Sequence, residues 1–213
     1  MPIPRLEPHS AGVLLIDVQP AFVETAFPSG GAALEALMLR LEHLLMLSGW
    51  LGLPTITTFE TPTSENGELT DNLEAVFPKG GQRFVKSFFG CMSEPDISAA
   101  VQEAGVRQWL VAGAETDVCV LQSTLGLLEA GFEVHLLEDC LFTTEKEPGP
   151  ALRRMFQSGA VPTTLKTAAY ELVQQADQIP WYPDLWALGF ELEKPFPENF
   201  IPPEQWPDWE ATI

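Results

Sequence analysis

Three residues of this 213-residue chain carry chemistry that their positions could use: Asp17, Lys86 and Cys119. A thiol becomes a strong nucleophile on losing its proton. A neighbouring base or cation favours that loss. Cys119 lies in the stretch Trp109 to Gly131, WLVAGAETDVCVLQSTLGLLEAG. The stretch opens with a short apolar run, turns at Gly113 and Ala114, and then offers Thr116 and Asp117 as helix-starting residues. From there Val118, Leu121, Leu125 and Leu128 fall on helical spacing. Cys119 is therefore expected in the first turn of a helix that follows a strand, where unpaired N–H groups and the positive helix end favour a thiolate. Each residue alone has a plainer reading. A free cysteine is by default core filler, a strand-end Lys a solvated group, and an Asp after a strand a turn former or cap.

The elements that must position these residues can be read in order. Gly12 to Ile16 (GVLLI) is apolar without alternation, which suits a central parallel strand covered on both faces, and it ends at Asp17. Asp17-Val-Gln-Pro then breaks the strand, with Gln19 a turn or supporting residue and Phe22 and Phe27 in the loop that follows. Ala32 to Leu47 has helical spacing, and Pro54 to Phe59 is β-branched and reads as a second strand. Glu60 to Gly80 is polar, contains Pro and Gly, and reads as a long loop of the kind that forms lids or oligomer contacts. Gln82 to Lys86 is a third strand closed by Lys86 and followed by Phe88 and Phe89. Pro95 to Ala104 is helical, and Val106 to Ala112 is the strand before Cys119. Phe132 to Leu137 and Val161 to Leu165 complete the strands, and Pro148 to Ser158 and Ala168 to Ala176 the helices.

This alternation predicts an α/β fold: a three-layer α/β/α arrangement with a doubly wound, mostly parallel sheet of about six strands, Rossmann-like in topology. Ligands of such sheets bind beyond the carboxyl ends of the strands. Asp17, Lys86 and Cys119 each lie at or just past such an end, on three different strands. Their convergence is the functional signal.

Composition narrows the partners. Eleven basic against thirty acidic residues give a formal net charge of −19, with no basic cluster, so nucleic acid and anionic membranes are excluded as partners. No apolar run reaches membrane-spanning length and no signal peptide is read at the start, so a reduced, cytoplasmic setting is expected. Three widely spaced cysteines form neither a disulfide framework nor a C-x-x-C redox pair. Residues 1–178 read as one domain. Residues 179–213 read as a Pro- and Trp-rich acidic arm, holding four of the six Trp, that packs on its own domain or on a neighbouring subunit.

The run Asp17-x-Gln19, then Lys86 after a third strand, then G-A-E-T-D-V-C-V over Gly113 to Val120, resembles the isochorismatase-like cysteine hydrolases, which include nicotinamidase and N-carbamoylsarcosine amidase. The resemblance covers roughly residues 10–176. It implies an Asp-Lys-Cys triad at Asp17, Lys86 and Cys119 that hydrolyses a carbon–nitrogen bond of a small molecule through a covalent Cys119 intermediate. It also implies oxyanion donors near Thr116 and Cys119, a cis peptide at Glu115–Thr116, and a homo-oligomer. The metal-binding branch has Asp-x-His…His after the second strand. Here that region reads F-E-T-P-T-S-E-N-G, and His9, His43 and His135 are widely scattered, so no metal and no cofactor are expected. Gln19, Phe22, Phe59, Glu60 and Phe88 are pocket candidates by position, although Phe at such sites is more often ordinary packing. Cys91 and Cys140 read as packing residues. A family member that has lost catalysis and serves as a structural or binding subunit is the competing reading.

Overall fold

The computed structural model describes residues 5–174, and the expected arm over 179–213 lies outside them. In chain order the elements are β1 (Ala11–Ile16), α1 (Pro20–Ala26), α2 (Ala32–Trp50), β2 (Thr55–Glu60), α3 (Thr63–Asn66), α4 (Asp71–Val76) and β3 (Gln82–Lys86). There follow α5 (Pro95–Glu103), β4 (Gln108–Gly113), α6 (Leu121–Glu129), β5 (Glu133–Leu141), α7 (Gly149–Gln157), β6 (Val161–Thr163) and α8 (Leu165–Val173). The six strands form one sheet in the order β3-β2-β1-β4-β5-β6, with every pairing parallel.

The apolar run of β1 is buried at every position, and its side chains divide between two cores. Val13 and Leu15 pack with Leu41, Leu44 and Leu45 of α2 and Leu172 of α8. Leu14 and Ile16 pack on the other face with Val101 of α5, Leu127 of α6 and Met155 of α7. A run without alternation is what a strand with helices on both sides needs, because successive side chains point to opposite faces. The three-layer, doubly wound expectation is thus met.

Two stretches expected as loops are helical. Phe22 lies on α1, where Pro20, read as a strand breaker, is also the first helical residue. The 60–80 segment contains α3 and α4. Helices of four to seven residues are too short to show a 3.6-residue period, so spacing could not reveal them.

Parallel crossovers place the carboxyl ends of all six strands at one end of the sheet. The strand order turns back on either side of β1, so the crevice expected of such sheets lies beyond the ends of β1 and β4. Register holds those ends level: Ile16 pairs with both Thr58 and Gly113, and Glu60 pairs with Lys86. Gly113 is required for the close approach. Its φ is +114°, and a Cβ there would stand 2.0 Å from the Ile16 carbonyl oxygen.

Candidate active site

Asp17 leaves the end of β1 with φ +48°, a left-handed conformation that Asp tolerates better than most residues. Its carboxylate accepts from the Thr58 hydroxyl of β2 at 2.8 Å and is ion-paired with the Lys86 ammonium at 2.6 Å. The Asp17 and Lys86 side chains are both completely shielded from solvent. Lys86 Nζ also stands 3.5 Å from Cys119 Sγ. The three residues expected to converge do converge, each from a different strand end.

Cys119 belongs to a five-residue π-helical turn, Thr116–Val120, between β4 and α6. Such turns are uncommon and recur at functional sites. The Glu115 carbonyl accepts from both Val118 and Val120, tying the turn together. Thr116 and Asp117 were expected to begin an ordinary helix; instead both lie inside this wider turn, with Glu115 at the position before it. The Thr116 N–H and hydroxyl both donate to the Phe142 carbonyl, at 3.1 and 3.0 Å. That N–H is therefore engaged and is not offered to an oxyanion, contrary to expectation. The cis peptide is Ala114–Glu115, one bond earlier than expected, and it is the next amide, Glu115–Thr116, that donates to Phe142. The Glu115 carboxylate accepts from Thr143 and Thr144, which binds the turn to the chain after β5.

Glu60, the last residue of β2, is the fourth group at the thiol. Cys119 Sγ donates to its Oε2 at 3.2 Å, and Lys86 Nζ lies 3.8 Å from the same oxygen. Gln19 fixes this residue by its backbone: its Oε1 accepts from Glu60 N–H at 2.7 Å, and its Nε2 donates to the Glu60 carbonyl at 3.1 Å and the Gly67 carbonyl at 2.7 Å. Gln19 is a positioning residue. The aromatic pocket candidates divide. Phe59 is 1 % exposed and presents no surface, Phe22 is partly buried against the core, and Phe88 is 57 % exposed beyond β3. Thr58 was not singled out, because a Thr in a β-branched run is an ordinary strand residue. Its role depends on lying beside Ile16 in register.

The electrostatics correct one expectation. The helix start was expected to favour a thiolate, yet the Cys119 thiol is held far above its ordinary value, chiefly by burial and then by the Asp17 charge. A helix-end dipole contributes about 1 kcal/mol or less, under one pKa unit, whereas burial shifts a group by several. Burial also raises the Asp17 carboxyl despite Lys86 and Thr58. For Lys86, burial favours the neutral amine, but the charges of Asp17, Cys119 and Glu60 outweigh it and raise the pKa. Burial thus works against the charged forms of both the Cys119 thiol and the Asp17 carboxyl, while the neighbouring charges hold Lys86 as a cation.

Asp17, Glu60 and Cys119 offer ligand atoms within 4.8 Å of one another. The donor set does not fit a metal, because the Lys86 ammonium already stands among all three and would meet a divalent cation at contact distance. His43 and His135 are both buried away from this cluster's donor set, and burial, with the Arg40 charge, lowers the His43 pKa to about 4. Cys91 and Cys140 are buried. A cavity of about 620 Å³ lies elsewhere, lined by Leu53, Pro54, Phe77 and Gln82 near the amino ends of β2 and β3.

Comparison with known proteins supplies the family and agrees with the fold. Residues 11–167 match the isochorismatase domain. The probable hydrolase YcaC of Escherichia coli is 31% identical over 80% of this chain and 81% of its own. Its crystal structure, described as an octameric hydrolase of unknown specificity, matches with a TM-score of 0.74 over 82% of this chain and 85% of that one. YcaC from Pseudomonas aeruginosa, solved with hexane-2,5-diol and covalent acrylamide, also has a TM-score of 0.74, at 28% identity over 82% and 86% of the two chains. A domain match across most of the described residues, with a relative 31% identical over four fifths of both chains, means that the chain belongs to the isochorismatase family of hydrolases.

Proposed function

We propose that this protein is a cysteine hydrolase that cleaves a non-peptide carbon–nitrogen bond, in an amide, ureido or carbamoyl compound of small size. The observation that carries the reading is the buried Lys86 ammonium reaching both Asp17 and Cys119 Sγ. In the first step the Cys119 proton passes to Asp17 and the sulfur attacks the carbonyl carbon. Burial, which raises the Asp17 carboxyl, favours its taking that proton, and Lys86 offsets the charge as sulfur develops it. The oxyanion is met by the Cys119 N–H in the π-helical turn, with Thr116 excluded by its bond to Phe142. The carbon–nitrogen bond breaks, and nitrogen leaves with the proton from Asp17. Water then gives a proton to Asp17 as its oxygen attacks the thioester. The acid leaves and Cys119 regains its proton.

The covalent acrylamide in the Pseudomonas aeruginosa relative means that a protein similar to this one carries a nucleophile reactive toward a small electrophile, which a cysteine hydrolase requires. The octameric Escherichia coli relative supports a homo-oligomer here. A cytoplasmic setting suits three unpaired cysteines, and no helix among the described residues is long and apolar enough to cross a membrane. One observation favours the competing reading of a non-catalytic subunit: Cys119 is only 2 % exposed. Intact-mass analysis after incubation with small amides, ureido acids and carbamoylated amines separates the two. An adduct on Cys119 with release of ammonia or amine, absent in Cys119→Ala, is the expected result. A protein whose turnover survives Cys119→Ala would overturn the nucleophile assignment, and a Cys119 inert to every electrophile would establish the non-catalytic reading.

A further inference from the structure

Four groups meet at the thiol, and they are not equally sheltered. Asp17, Lys86 and Cys119 are each at most 2 % exposed, whereas 22 % of the Glu60 side chain reaches solvent. Glu60 is therefore the charged group that an arriving molecule meets first on its way to the sulfur. Lys86 lies closer to Asp17 than to Glu60, 2.6 against 3.8 Å, so its charge is spent mainly on the inner carboxylate. Two carboxylates and one ammonium leave one negative charge beside the nucleophile, and Glu60 displays it.

The position is built. Three hydrogen bonds fix the Glu60 backbone so that its carboxylate faces Sγ: its carbonyl accepts from Gln19 and Asn66, and its N–H donates to Gln19. Glu60 does nothing for the reactivity of the thiol. After burial and the Asp17 charge, its hydrogen bond and its charge also hold the Cys119 proton in place. A rigidly held acceptor that opposes thiolate formation has its use when something else replaces the thiol proton. The N–H of an amide or an ammonium group supplies that replacement, and a carboxylate cannot.

We propose that Glu60 is the charge-specificity residue of the site. It admits molecules that are neutral or cationic next to their electrophilic carbon, accepts their N–H, and turns away those carrying a carboxylate there. This rests on the hydrolase reading for its substrates, which are then amides without an adjacent acid group. Its physical content, discrimination by charge at the sulfur, is independent of turnover.

The test compares alkylation of Cys119 in the full chain by iodoacetamide and by iodoacetate, near in size and different in charge. Peptide mass mapping follows Cys119 specifically. Their rate ratio cancels the thiolate fraction, which Glu60 substitution also alters. The wild type is expected to prefer iodoacetamide by about tenfold more than a small free thiol does. Glu60→Gln should bring the ratio down to the free-thiol value, and Glu60→Asp, which keeps the charge, should retain most of the preference. Equal ratios for wild type and Glu60→Gln would overturn the proposal, even if amides are hydrolysed. A charge preference that disappears in Glu60→Gln would establish it, even if no amide is turned over and the hydrolase reading fails.

Discussion

Replacing Lys86 with Met tests whether the buried ammonium serves Asp17. The side chains are of similar length, so the change removes charge with little change of volume. The Nζ–Oδ2 distance is 2.6 Å and both side chains are fully shielded, so solvent screening does not reduce the interaction. Removing one member of a buried pair costs about 3–5 kcal/mol, mostly as the penalty on the charge left behind. For a chain of this size that corresponds to a fall in Tm of roughly 6–20 °C. The pH dependence gives the sharper test. Asp17 is already raised above 3.8, burial outweighing Lys86. A carboxyl raised in the folded state takes up a proton on folding, so its stabilising contribution is complete below the unfolded value and disappears as pH rises through the folded one. Without Lys86 the folded value moves higher, and this loss extends over a wider range. Lys86, itself raised, loses its contribution only at alkaline pH, so it adds a constant across acidic and neutral conditions. The stability gap between Lys86→Met and wild type should therefore shrink from about pH 7 to about pH 5 in urea denaturation. Asp17→Asn in the Lys86→Met background should restore roughly 2 kcal/mol. A gap that stays constant with pH and is not narrowed by Asp17→Asn would refute the pairing as the reason for Lys86.

Two further outcomes follow from the same geometry. Because burial and Asp17 keep the Cys119 proton in place, alkylation by iodoacetamide should continue to accelerate by about tenfold per pH unit past the range of ordinary thiols. A plateau near neutrality would show a preformed thiolate and remove the need for Asp17 as proton acceptor. Gly113→Ala should cost about 3 kcal/mol or more and lower catalysis beyond its effect on folding, because the new Cβ would drive β4 from the end of β1. Unaltered denaturation and unaltered Cys119 alkylation in that variant would mean that the two strand ends tolerate separation.

The sheet was legible because its strands announce themselves. GVLLI in β1 is apolar at consecutive positions, and the spacing after Cys119 is helical. The convergence of Asp17, Lys86 and Cys119 was legible because each lies at or just past the end of a strand. What stayed hidden depends on contacts between segments. Thr58 matters to Asp17 through strand register, and Gln19 matters to Glu60 through bonds across 41 residues of sequence. The helix start was read as favouring a thiolate because sequence reveals that start, whose effect is small, and conceals burial, whose effect is large. Thr116 was misread as an oxyanion donor because its competing acceptor, the Phe142 carbonyl, lies 26 residues further on.

The path of the Lys86 side chain shows which charge the fold was shaped to balance. Lys86 ends the edge strand β3, and its partner in register is Glu60 on β2, one strand spacing of about 4.8 Å away. Asp17 leaves β1, two spacings off. Had proximity along the sheet decided the pairing, the ammonium would rest on Glu60. It runs past Glu60 and closes on Asp17, the fully buried carboxylate, which has no water to hydrate it. Only a side chain as long as Lys or Arg spans that distance from β3, and a cation delivered this way passes within 3.5 Å of the sulfur. The requirement that a buried carboxylate be neutralised is thus enough to bring a positive charge to the thiol, leaving the outer carboxylate free to address what enters.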